Sequence, residues 1–262
     1  MTEAIRALGY RVVWSPGVDY EKAPPVHIER DDFTLDLSGC ELRATLRREY
    51  STIEQARTHV EDYLRGWELV IGIGEHPDAV RFVYERAEVD EVEIDPETGR
   101  HVRQAKVHVE TSANLSAVLH VSRGRYPPPA DAFRIDSVVE ALYSRYSRYQ
   151  AGRELLTSMA YFCLTVLEKS AGGTRQEAAR RYRIAHPVLG CLGCLCSEKG
   201  SEGEARKAPD GLAFTPLSQE ERKWVLAAVR LIIRRAGEVA ACPDKPLAQI
   251  TMHDLPSLGG LP

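Results

Sequence analysis

Between residues 10 and 122 apolar and polar positions alternate along the chain, whereas beyond residue 130 the apolar positions recur every three or four residues. The alternating half yields the strand candidates YRVVW, VHIERDDFTLDL, ELRATLRREY, AVRFVYERA, DEVEI, QAKVHVE and SAVLHVS. In DPETGR, Pro96 presets a bend and Gly99 permits a positive φ, which predicts a hairpin connection. One helix interrupts the strands. Ser51 or Thr52 can cap it, with Glu54 or Gln55 three residues on, and Ile53, Ala56, Val60, Leu64, Trp67 and Ile71 form an apolar stripe suited to packing on a sheet.

Pro127, Pro128 and Pro129 can continue neither a strand ladder nor a helix, so a domain boundary is expected there. Beyond it the periodicity predicts four helices, at about 131–150, 153–169, 174–198 and 218–240. Leu155, Met159, Phe162, Cys163, Val166 and Leu167 share one face of the second. Thr174 with Glu177, and Ser218 with Glu221, have the spacing of capping boxes. Arg234 and Arg235 followed by Gly237 read as a helix stop.

The expected fold is therefore α+β: an α+β domain over 1–126, rich in strands and holding one long helix, then a four-helix bundle over 131–240. Residues 241–262 are expected as an extended tail, either a strap across the core or a frayed end, and the charged, glycine-rich stretch from Ser197 as a mobile loop.

Composition adds bounds. The 262 residues, 44% hydrophobic, suffice for a substantial core. The N-terminus lacks the pattern of a secretory signal, and MAYFCLTVL, the longest nearly apolar run, is about half the length of a membrane-crossing helix. A cytoplasmic protein without membrane partner, disulfides or cofactor is expected, its six cysteines reduced. Charge is uneven: residues 1–130 carry 16 Lys and Arg against 23 Asp and Glu, residues 131–240 carry 17 against 13. A basic helical half marks either a polyanion-binding face or two halves that attract each other.

The common catalytic signatures are missing. GIGEHP at 72–77 lacks the third glycine of a dinucleotide loop and follows a helix rather than a strand. His186, Cys191, Cys194 and Cys196 match a zinc set in composition only, because on a helix Cys196 lies about 160° from Cys194. Core packing is the expected role of these thiols, and no metal site is assigned. In YSRYSRYQAGR, Tyr146, Tyr149 and Arg148 could stack bases and grip phosphates, or the tyrosines could sit at a bundle rim with hydroxyls in water. Arg175, Arg180 and Lys207 complete the candidate binding set.

Arg181 and His186, with four residues between them, resemble the arginine-x4-histidine motif of HEPN helical domains, which often act as metal-independent ribonucleases. That resemblance implies a homodimer in which His186 handles a proton of the RNA 2′-hydroxyl or leaving oxygen and Arg181 stabilises charge on phosphorus. The chain departs from the family in having Tyr182 after the arginine and Pro187 after the histidine; the proline is expected to break the helix at His186. On an uninterrupted helix Arg183 would lie about 60° from His186 and Arg181 about 140°, so Arg183 joins the candidate catalytic set. A solvated basic face is the alternative.

A second resemblance spans most of the C-terminal half. MAYFCLTVLE, VLGCLGCLCSEKG, ARKAPDG and LSQEERKWVLAAVRLIIRR look like a group of uncharacterised bacterial proteins labelled methylamine utilization protein J. It implies a non-catalytic accessory or interaction protein, with a protein or RNA partner.

Overall fold

A computed structural model of the chain describes residues 3–94, 101–109, 121–129, 131–199 and 215–258. Residues 1–130 and 131–262 form two compact units, each described by itself.

In the first unit, β1 (Glu3–Trp14), β3 (Val26–Glu29), β4 (Phe33–Ser38), β5 (Glu41–Leu46), β6 (Val80–Ile94) and β7 (His101–Val109) build one sheet. Its order is β3-β4-β5-β1-β6-β7, with every neighbouring pair antiparallel. β2 (Val18–Asp19) and β8 (Val121–Ser122) form a separate parallel pair. Alternation does what the sequence pattern requires: Phe33, Leu35 and Leu37 are buried while Asp36 and Ser38 point outward. The outward face carries paired ions, among them Arg11 with Glu85 and Arg43 with Glu88.

The inward face is covered by α1 (Ile53–Gly74). Thr52 caps this helix, its side chain accepting from the Gln55 amide at 3.2 Å. Ala56, Val60, Leu64, Trp67 and Ile71 are buried in one cluster with Leu8, Tyr10, Leu35 and Leu42, and Ile53 packs at its edge. The helix also buries Leu69 and Ile73, which the single expected stripe left out.

β1 begins at Glu3, ahead of YRVVW, and β5 ends at Leu46, before the RREY of its expected strand; two further differences concern whole strands. VHIERDDFTLDL is a hairpin rather than one strand, because Asp31 and Asp32 favour a turn, closed by the Arg30 amide donating to the Phe33 carbonyl at 2.9 Å. AVRFVYERA and DEVEI are one strand, β6, whose ladder with β1 carries two register shifts. DPETGR and residues 116–120 of SAVLHVS lie outside the described residues.

The second unit holds α2 (Ser137–Gln150), α3 (Leu156–Ala171), α4 (Arg175–Arg181), α5 (His186–Glu198) and α6 (Gln219–Ala241). Asp136 caps α2, and complete capping boxes start α4 at Thr174 and Glu177 and α6 at Ser218 and Glu221. The single helix expected over 174–198 is two, separated at Tyr182–Ala185. On α3, Met159, Cys163 and Leu167 are buried as expected, together with Leu156, Ala160 and Leu164. Phe162 and Val166 are only half-buried and Leu155 is 43% exposed, so the inward face of α3 is turned away from them. The tail is strap-like where described: Ile250 and Leu255 are buried, and Ile250 forms a parallel bridge with Ile184. Among the described residues no helix is long and apolar enough to cross a membrane.

Gly237 does not stop α6. The helix runs on to Ala241, and the ring of Phe133 lies so close that a Cβ on Gly237 would sit 2.1 Å from Cε2. A glycine inside a helix costs about 1 kcal/mol relative to alanine, yet here it makes room for an aromatic side chain. Gly237→Ala is expected to lower stability by about 1–3 kcal/mol despite its better helix propensity. In the Phe133→Ala background the same change should stabilise, and urea midpoints of the four proteins in that cycle check both signs.

Candidate functional site

The arginine-rich stretch lies at the corner between α4 and α5. Tyr182 ends α4, and Arg183 follows with φ 50°, the described residues' one non-glycine residue at positive φ. The Ile184 amide donates to the Ala179 carbonyl at 3.1 Å, and the Arg183 amide to the Arg180 carbonyl at 3.4 Å. Those two bonds define a Schellman motif, in which glycine normally takes the left-handed position. Ile184 is buried behind it.

Arg235 holds the corner from beneath. The residue is 7% exposed, and its guanidinium donates through Nη1 to the carbonyls of Tyr182 and Arg183, both at 3.0 Å, and through Nε to Glu238 at 2.9 Å. The strap closes the other side: the Ile250 amide donates to the Arg183 carbonyl and the Ala185 amide to the Ile250 carbonyl, both at 2.8 Å. Arg235 was missed in the sequence, although its position three residues after Ile232 places a cation within the apolar stripe of α6.

His186 is exposed and opens α5, and Pro187 occupies the first turn, where its missing N–H costs no helical bond. The expected break at His186 thus falls one turn earlier. The helical-wheel comparison that favoured Arg183 over Arg181 does not apply, because Arg183 is not helical. Arg181 is exposed; its Nη1 donates to the Ser170 carbonyl at the end of α3, and its guanidinium lies 5.5 Å from the Tyr182 ring centre. The exposed Arg183 side chain reaches the Leu247 carbonyl at 3.4 Å. Among the described residues no hydrogen bond joins His186 to either arginine. Tyr182, the departure from the family motif, is buried with its hydroxyl 2.7 Å from that of Ser170.

The remaining candidates separate. Arg180 is exposed beside Arg181. Arg175 pairs with Glu168 at 2.9 Å and covers Gly193, a packing role. Tyr146 is fully buried with its hydroxyl accepting from Arg230 at 3.0 Å, so neither base stacking nor a wet rim position describes it. Tyr149 is half-buried and Arg148 is exposed, 3.9 Å from Glu154. Lys207 lies outside the described residues.

The three thiols of α5 do not converge. The helix is unbroken, Cys194 is exposed, Cys191 half-buried and Cys196 fully buried. Burial pushes the thiols of Cys196 and of Cys163 up to about 12. A thiol pKa raised in the folded state favours folding below the unfolded value near 9.0, and this contribution is lost as pH climbs toward 12.

No protein family, curated protein or solved structure matches this chain.

Two outcomes follow. Arg183→Gly relieves a left-handed side chain and should raise stability by about 1 kcal/mol, seen as a higher Tm with unchanged circular dichroism. With iodoacetamide at pH 8, Cys194 should be alkylated first, with Cys163 and Cys196 reacting only on unfolding, as peptide mass spectrometry of a time course would report.

Proposed function

We propose that the chain is a non-catalytic accessory or interaction protein, as its resemblance to the methylamine utilization protein J group implies. The engagement of Arg181 carries this reading: its guanidinium ties the end of α4 to the Ser170 carbonyl, while Arg183 serves the backbone turn. Acid-base cleavage of RNA needs an imidazole and a cation directed at one phosphate. Here both arginines have structural roles and neither bonds to the histidine. What the corner offers a partner is charge, since Arg180, Arg181 and Arg183 are all exposed, with the His186 ring exposed beside them. An acidic protein surface is the partner this corner suits, with attraction that weakens as salt rises.

A second reading, a HEPN-like ribonuclease or RNA-binding module completed by a second copy of the chain, is favoured by that same exposure. Residues buried within one chain could not be shared across a dimer, whereas Arg181 and His186 remain open to a neighbour.

Labelled RNA incubated in EDTA with the wild type, Arg181→Ala and His186→Ala separates the readings. The accessory reading expects uncut RNA in all three. Cleavage leaving a 2′,3′-cyclic phosphate, lost in either variant, would replace it with the nuclease. Uncut but bound RNA, with affinity falling steeply with salt, would replace it with the binding module.

A further inference from the structure

The face of α3 that its neighbours leave uncovered carries a pocket of about 440 Å³, lined by Ser158, Tyr161, Phe162 and Thr165 of α3 and by Arg145 of α2. The four α3 residues stand at i, i+3, i+4 and i+7, one continuous helical face. This explains why Phe162, expected in the core, is only half-buried: its ring forms a wall of the pocket.

Arg145 sits over that ring, its guanidinium carbon 4.2 Å from the Phe162 ring centre. It is tethered by one contact, Nη1 to Oε1 of Glu154 at 3.2 Å, while Nε of Arg145 and Oε2 of Glu154 make no hydrogen bond. The Glu154 side chain is 7% exposed, and Arg148 approaches it at 3.9 Å. Arg153, its chain neighbour, is exposed. Two cations, Arg145 and Arg148, thus face one carboxylate, and Arg145 is the one charged residue among those that line the pocket. The Ser158 hydroxyl makes no hydrogen bond among the described residues, and the exposed Leu155, which precedes α3, lies three positions ahead of it.

A pocket of this size, with an aromatic wall, free hydroxyl and single cation, has the composition of a small-molecule site rather than a packing defect. We propose that it binds a small amphipathic anion, its apolar body against Phe162 and its acidic group on Arg145. A singly tethered guanidinium can turn a second edge of N–H donors toward an acid without breaking the contact to Glu154. The proposal is independent of the reading of the α4–α5 corner.

The probe pair is 8-anilinonaphthalene-1-sulfonate and its uncharged relative N-phenyl-1-naphthylamine, titrated by fluorescence into the full chain. The sulfonate is expected to bind at one site, at least tenfold more tightly than the uncharged probe at low salt. Ser158→Trp fills the pocket and should weaken the sulfonate at least tenfold; Thr165→Leu, a milder change on the same face, serves if the tryptophan variant does not fold. Arg145→Gln should remove the preference for charge while leaving the uncharged probe unaffected. Equal affinity for the two probes, indifference to the pocket substitutions in folded protein, or no binding would each overturn the proposal.

Discussion

A single buried cation organises the helical unit. Burying a guanidinium is costly unless each donor group finds an acceptor, and Arg235 finds two backbone carbonyls and a carboxylate. The carbonyls belong to Tyr182 and Arg183, groups that the end of a helix leaves without intrahelical partners. One side chain of α6 thereby fixes where α4 stops. The same Arg183 carbonyl also accepts from Ile250, so the position of the tail depends on the corner that Arg235 holds. A left-handed arginine, a helix end and a strap share one network.

This network bears directly on function. Around the corner, Arg181 bonds to the backbone of α3 and Arg183 to that of the strap, while both stay exposed. Arg145 differs. It is attached to Glu154 by one contact and rests on an aromatic face beside open space. Arg235, fully used by the fold, and Arg145, only partly used, are told apart by their contacts and not by their spacing in the sequence.

Much of this architecture was legible in the residues themselves. Thr174 with Glu177 and Ser218 with Glu221 mark helix starts because their hydrogen bonds are local, made within three residues. The α1 stripe from Ala56 to Ile71 was equally legible, since a helix of that period has one way to face a sheet. The corner was legible only in part. Pro187 announced a break at His186, but Tyr182–Ala185, where the chain turns, has neither glycine nor proline, and the partners that stabilise it, Arg235 and Ile250, lie more than fifty residues away.

The sequence by itself therefore determined the α+β class, the caps and the buried stripe of α1, all consequences of periodicity and short-range hydrogen bonding. Tertiary structure alone decided that α4 ends on a left-handed Arg183, that Tyr146 is buried against Arg230, and that Phe162 lines a pocket instead of filling the core. The physical reason is common to all three. Which face of a helix is covered, and where its end groups find partners, depends on what other segments bring to it, and a residue's type records only that it can be buried or bonded.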